Sequence, residues 1–427
     1  MSSDDGFLQA AESIGRSIAT DAVWYDRRCS WVGAVDTKQP WPTVYRSLEP
    51  NIYDGTAGVG LFLAQLGSVN GDAAVRRTAV GAMRQSIARA SAIPPGRRDG
   101  FHAGSLGIAW AAARAGALLD EEELHAGART LLAVAPAPAP KRRPDVVPGS
   151  AGSVIALLAL AEVFDDAALV QEAVATGDEL VAQATLNRFG WSWAIPGRRY
   201  PHHLCGLSHG AAGIGWALLE LFASTREDRF RAGATGAFEY ERSWLDTGSG
   251  TWPDLRAPGQ RRGVTRGEPS PTVGSWCLGE GGIALTRLRA VEVLGDKTWA
   301  QDAAIALETT RRDLAGRLPH EIEDLTLCHG AAGSADVLLC GGPVLDDRCR
   351  DAVALAYELG RVSLERRNTT GTDWPLGVPG MTPSLFQGLS GIGWWFLRLH
   401  DPATPSPLTL PIRLQSGSQR RRFGGLI

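Results

Sequence analysis

Cys328 and His329 stand side by side immediately before Gly330-Ala331-Ala332-Gly333, and Cys277 stands just ahead of Gly279-Glu280-Gly281-Gly282. Two thiols and an imidazole make a three-ligand set for a zinc ion with an open fourth position, the pattern of a catalytic rather than a structural site. Adjacent residues can both ligate from a loop, though not easily from consecutive positions within a helix. Two thiolates cancel the charge of the ion, so an incoming thiol can bind in its ionised form, and soft sulfur ligands preserve its nucleophilicity. Such a centre suits alkylation of a thiol better than hydrolysis by bound water. Two further groups stand in the same frame: His209 directly before Gly210, and Asp145 four residues before Gly149.

What places these residues together is a repeat. G-x-x-G occurs seven times, with first glycines Gly55, Gly104, Gly149, Gly210, Gly279, Gly330 and Gly388. Each copy runs into an almost wholly apolar helical stretch, such as VGLFLAQL from Val59, SVIALLALAEVF from Ser153 or IGWWFLRL from Ile392. Helices apolar on most faces are buried ones. Between them lie amphipathic, charge-bearing stretches: Phe7 to Thr20, Asp72 to Ala90, Asp120 to Ala133, Asp166 to Ala184, Glu227 to Trp244, Lys297 to Ala315 and Asp346 to Leu364. Strand signals are weak, so the fold class is all-α. The alternation predicts an inner ring of about seven helices wrapped by about seven outer ones, with the Gly-rich loops at the inner-helix starts. The last inner stretch is as apolar as the rest, which favours a closed ring over an open solenoid with polar caps. The glycines themselves read as packing devices that allow tight turns and close backbone approach. Their consequence is positional: whatever precedes each motif sits at the same end of the ring.

The bulk properties fit an ordinary globular protein, with 427 residues, 44% hydrophobic and 21% charged. A net charge of -3 argues against a nucleic-acid partner. No stretch approaches the roughly 20 apolar residues of a membrane span, and MSSDDGFLQAAES lacks the regions of a secretory signal. A cytoplasmic location is the resulting expectation. Six sparse cysteines do not make a disulfide scaffold. Cys29, Cys205, Cys340 and Cys349 read as buried core thiols.

SWCLGEGGI (Ser275 to Ile283), LCHGAAGS (Leu327 to Ser334) and LSHGAAGIGWAL (Leu207 to Leu218) resemble the motifs of LanC-like lanthionine cyclases. The resemblance extends from about Cys29 to Leu410 through YDGTAGVGLFLAQL and PSLFQGLSGIGWWFLRL, and its C-terminal part is similar to the cyclase domain of the bifunctional LanM or LanL synthetases. It implies an α/α toroid, taken as a single cyclase domain over residues 1–410; the tail over 411–427 is polar and Gly-rich and reads as flexible. It implies Zn2+ on Cys277, Cys328 and His329. It also implies Michael addition of peptide cysteine thiols to dehydroalanine or dehydrobutyrine in a ribosomally made precursor, giving lanthionine or methyllanthionine. His209 is then the candidate acid for the α-carbon, and Asp145 the carboxylate that holds its tautomer. Two positions depart from the family pattern: Leu278 stands where a Tyr or His is common, and Glu280-Gly281 replaces a small residue and proline. No arginine matches the family's upstream of Cys277, where the chain reads PTVGS. With no P-loop or kinase signature, the expected partners are a dehydrated precursor peptide and a separate dehydratase or kinase-lyase protein. Lys141-Arg142-Arg143, Arg198-Arg199 and Arg261-Arg262 read as solvated loop charges, or as contacts for an acidic leader. Two other readings keep part of this picture: addition of glutathione to dehydroamino acids, and a non-catalytic scaffold that binds the modified peptide. Glycosidases rely on paired carboxylates, and the convergent end offers cysteines instead.

Overall fold

Six of the seven glycine motifs open on a first glycine that is the N-cap or flanking residue of an inner helix in extended conformation. These helices are α2 (Thr56–Asn70), α4 (Ser105–Leu119), α6 (Ser150–Phe164), α8 (Ala211–Thr225), α10 (Glu280–Leu294) and α14 (Leu389–His400), and Gly330 opens the seventh, α12 (Ala331–Gly341). The outer helices are α1 (Ser3–Thr20), α3 (Ala73–Arg89), α5 (Glu122–Ala133), α7 (Ala167–Gln183), α9 (Asp228–Arg242), α11 (Lys297–Arg317) and α13 (Arg348–Thr370). The computed structural model describes residues 3–35, 43–133, 142–256, 274–318, 320–341, 348–377 and 380–412. Lys141, Arg261, Arg262, the stretch Pro271 to Val273, the side chain of Cys349 and the tail beyond Ile412 lie outside them. No helix among the described residues is long and apolar enough to cross a membrane.

The turn from an inner to an outer helix is short and chemically specified. Asp120, Asp165 and Arg226 end their helices in the left-handed region, as do Gly71 and Gly295. Asp72, Asp166 and Asp296 then cap the next helix, each side chain accepting from backbone N–H groups of its first turn. Each inner helix packs on the outer helix that follows it, except α14, which takes α1 from the other end of the chain. The inner helices touch one another in sequence order, and α14 touches α2, so the ring is closed. Burial follows: α8 is buried from Ala211 through Leu221, and each such Leu or Phe contributes roughly 1.5–3 kcal/mol.

Three antiparallel hairpins of three- and four-residue strands escaped the sequence reading: β1 (Val23–Tyr25) with β2 (Arg28–Ser30), β3 (Val32–Val35) with β4 (Val44–Ser47), and β5 (Thr185–Asn187) with β6 (Gly190–Ser192). Strands this short carry too little alternation to register as a pattern.

The loops that open the inner helices form a second, smaller ring by passing backbone hydrogen bonds around the axis. Tyr53 N donates to His102 O at 3.0 Å, Ala103 N to Val147 O at 3.1 Å, Val147 N to Ser208 O at 3.3 Å and Ser208 N to Cys277 O at 2.8 Å. Trp276 N then donates to Cys328 O at 3.2 Å, Cys328 N to Phe386 O at 3.0 Å, and Phe386 N to Tyr53 O at 3.0 Å, which closes the circle. In every repeat the residue two before the first glycine takes part: Tyr53, His102, Val147, Ser208, Cys277, Cys328 and Phe386. One place earlier stand Ile52, Phe101, Val146, Leu207, Trp276, Leu327 and Leu385, all buried on the axis. Their carbonyls explain the second glycine of each motif. A Cβ on Gly58, Gly107, Gly152, Gly213, Gly282, Gly333 or Gly391 would overlap the carbonyl oxygen of that axial residue. One place later stand Asp54, Ala103, Pro148, His209, Leu278, His329 and Gln387, of which all but Leu278 keep some exposure.

Candidate metal centre

Cys277 lies in the loop before α10 and Cys328 in the loop before α12, neighbours on the hydrogen-bonded circle. With His329 they place one ligand atom each within 4.8 Å of one another, and they are the group of this kind found among the described residues. The Cys328 Sγ to His329 Nε2 separation is 3.6 Å. Tetrahedral zinc with sulfur at about 2.3 Å and nitrogen at about 2.0 Å sets its ligand atoms roughly 3.5–3.8 Å apart, so the donor set fits that ion in both chemistry and spacing. Adjacent Cys328 and His329 reach one point because residues 327–330 form a bend ahead of α12 and are not yet helical.

Cys277 is held well below its ordinary range, first by its hydrogen bond with Cys328 and then by His329, while burial drives Cys328 well above it. Burial acts to lower His329, but its contact with Cys277 outweighs this and the imidazole is raised. Two hydroxyls attend the sulfurs. Tyr53 Oη donates to Cys328 Sγ at 3.0 Å, and Ser275 Oγ lies 3.9 Å from Cys277 Sγ. Outside the trio, Arg256 is held in a fork by Asp254, at 2.9 Å from Nε and 2.7 Å from Nη2, and its guanidinium is close enough to feel the charge of Cys277.

On the next loop around the circle, His209 Nδ1 meets Asp145 Oδ2 at 3.0 Å. The histidine is 32% exposed and the aspartate fully buried. Arg143 donates to the same oxygen through Nε at 3.0 Å and through Nη2. Asp145 Oδ1 is buried and meets no donor among the described residues. The Nδ1 contact directs the other ring nitrogen away from the carboxylate.

The remaining positions singled out by sequence sort plainly. Glu280 is fully buried and turned away from the trio; its carboxylate accepts from Trp252 N at 2.9 Å and Gly274 N at 3.1 Å, pinning both ends of the segment that leads to Cys277. Leu278 is buried, its backbone packed on Gly206, which has φ +93° and no space for a Cβ. Cys29 and Cys205 are core thiols, and burial pushes Cys29 up to about 12. Cys340 is half-buried beside Arg398. Arg142 and Arg143 differ from the expectation of solvated charges: Arg142 is buried against Glu179 and Asp99, and Arg143 is spent on Asp145. Arg198 and Arg199 are exposed.

Sequence reasoning missed Tyr53 and His102. Both stand two residues before their glycine, the offset of Cys277 and Cys328, and that shared offset was the available signal. His102 packs between Phe101, Trp276 and Phe386 with ring centroids 4.9–5.2 Å away, and burial pushes its pKa down to about 3.

Comparison with known proteins adds to this geometry. A family-wide profile described as "Lanthionine synthetase C-like protein" matches residues 46–410. Among solved structures the chain is similar to a nisin cyclase, with a TM-score of 0.63 and 18% identity over 83% of this chain and 90% of that one. It also matches the cellobiose 2-epimerase of Spirochaeta thermophila, with a TM-score of 0.47 and 14% identity over 93% of this chain and 98% of that one.

Proposed function

Because this chain belongs to the lanthionine synthetase C-like family, we propose that it is a zinc-dependent cyclase joining peptide cysteines to dehydroalanine or dehydrobutyrine. One arrangement supports the reading above all: Cys277, Cys328 and His329 within 4.8 Å of one another on two neighbouring loops, with the Cys277 loop adjoining the one that carries His209, itself paired with Asp145. Cys277, Cys328 and His329 would hold the ion. Zinc, when bound, stabilises a cysteine thiolate at neutral pH.

The remaining chemistry belongs to the chain. Addition forms one C–S bond at the β-carbon, moves the π pair toward the α-carbon and leaves an enolate that needs one proton. His209 delivers that proton from the ring nitrogen not engaged by Asp145. Asp145, buried and charge-paired with Arg143, holds the ring orientation through its contact with Nδ1. The thiol releases a proton and the α-carbon gains one, so the reaction is an isomerisation. The substrate is a dehydrated ribosomal peptide, prepared by a separate dehydratase or lyase.

The test uses a synthetic peptide containing one cysteine and one dehydroalanine. Ring formation leaves its mass unchanged but removes the thiol, so maleimide labelling followed by mass spectrometry counts the uncyclised fraction. Wild type is expected to abolish labelling, and His209→Asn to suppress ring formation while retaining zinc. Undiminished cyclisation by His209→Asn removes that residue from its role.

A further inference from the structure

A site that aims a thiolate at an electrophile has a hazard built into it. As metal ligands Cys277 and Cys328 would offer nucleophilic sulfurs too, and the same electrophile would be presented to them. We propose that the Tyr53 hydroxyl, with that of Ser275, masks the two ligand sulfurs so that the substrate thiol is the one that adds; the inference rests on the thiol-addition reading above.

The geometry assigns one hydroxyl to each sulfur. Tyr53 Oη donates to Cys328 Sγ at 3.0 Å, short for a contact to sulfur. Its ring is stacked on Phe386 at 5.0 Å and 14°, and its backbone is fixed on both sides by the bonds to His102 O and from Phe386 N, each 3.0 Å. The fixed backbone and the ring stack together hold the hydroxyl against the sulfur. Ser275 Oγ accepts from Gly279 N at 3.1 Å and from the Cys277 thiol at 3.9 Å, so its own hydrogen is the one left for that sulfur when metal stands in place of the thiol hydrogen. A hydrogen bond to an anionic sulfur stabilises the lone pair that would attack and lowers its reactivity. Tyr53 acts through Cys328, so it is a positioning residue.

The side reaction it suppresses is balanced as follows. Cys328 Sγ bonds to the β-carbon of the dehydroamino acid, the π pair moves to the α-carbon, and water protonates that carbon. A neutral thioether replaces the ligand thiolate, and the ion is released.

The experiment treats zinc-loaded wild type, Tyr53→Phe and Ser275→Ala with methyl 2-acetamidoacrylate, following adducts by intact mass, their sites by peptide mapping and released zinc with a chromogenic chelator. Tyr53→Phe keeps the stack on Phe386 and loses only the donor. We expect it to retain one zinc and to gain the Cys328 adduct about tenfold faster than wild type, the scale of a hydrogen bond to an ionised group. In the cobalt-substituted proteins its thiolate-to-metal charge-transfer band should move to lower energy. Ser275→Ala should gain its adduct at Cys277. Equal adduct rates with an unshifted band, or failure of Tyr53→Phe to hold zinc when wild type does, overturns the inference. Wild type that holds no zinc sinks the cyclase reading itself, and the metal count registers that separately.

Discussion

Replacing Asp145 with Asn leaves shape almost unchanged and removes one charge, which makes it a sharp probe of the His209 arrangement. Three donors converge on Oδ2: His209 Nδ1, Arg143 Nε and Arg143 Nη2. An Asn that keeps its oxygen there must put its NH2 where Oδ1 now sits, buried with no partner among the described residues. That leaves a buried donor unsatisfied, at a cost of about 1–3 kcal/mol, while the charge-assisted bonds weaken to neutral ones. The opposite flip sets the NH2 against three donors and is worse. Arg143 is 28% exposed, so water recovers part of its lost pairing. The expected stability loss is therefore about 1–3 kcal/mol, a few degrees in Tm. The rate suffers more, because a positioned general acid contributes about 10²–10⁴-fold, and Asn no longer fixes the ring through a charged acceptor. The maleimide assay should show cyclisation slowed about a hundredfold or more, with zinc content unchanged. A variant that cyclises at the wild-type rate, or that loses rate only in proportion to lost zinc, refutes the reasoning.

Two other predictions follow from the circle of loops. His102 is buried neutral with its pKa down at about 3, so the unfolded chain, near 6.5, binds the proton more readily. Stability is then present above about 6.5 and lost as pH falls toward about 3, at up to roughly 1.4 kcal/mol per pH unit. Urea titrations of wild type and His102→Phe between pH 6 and 4 should differ in pH slope in that sense; parallel slopes contradict it. Gly213 has no room for a Cβ beside Leu207 O, whereas Gly316, helical in α11, meets nothing within 4 Å. Gly213→Ala should cost about 1–3 kcal/mol and Gly316→Ala should stabilise by roughly 0.5–1 kcal/mol, both read from denaturant midpoints; a reversed order contradicts the packing argument.

The ring was legible because its determinants are local and repeated. Each G-x-x-G stands at the residue where an inner helix begins, and apolar stretches such as Ile214 to Phe222 have no side left to face water. The trio was legible because Cys277, Cys328 and His329 precede glycines in a fixed frame, and the frame becomes the hydrogen-bonded circle. What stayed hidden depends on contacts between distant segments. Tyr53 and Cys328 are 275 residues apart, and apart from its offset before Gly55 nothing near Tyr53 tells its hydroxyl from that of a surface tyrosine. Arg142 reads as one of a basic cluster until Glu179, on the facing helix α7, claims it. Glu280 reads as a departure at the metal until its carboxylate is seen holding Trp252 and Gly274. The three hairpins are too short for their alternation to stand out from loop sequence.

The central claim is that Cys277, Cys328 and His329 hold a zinc ion. Metal content by mass spectrometry of the purified protein, wild type beside Cys328→Ala, tests it directly. The account predicts about one zinc per chain in the wild type, from a three-ligand site, and its loss in the variant. No zinc in wild type after reconstitution, or full retention of zinc by Cys328→Ala, contradicts it.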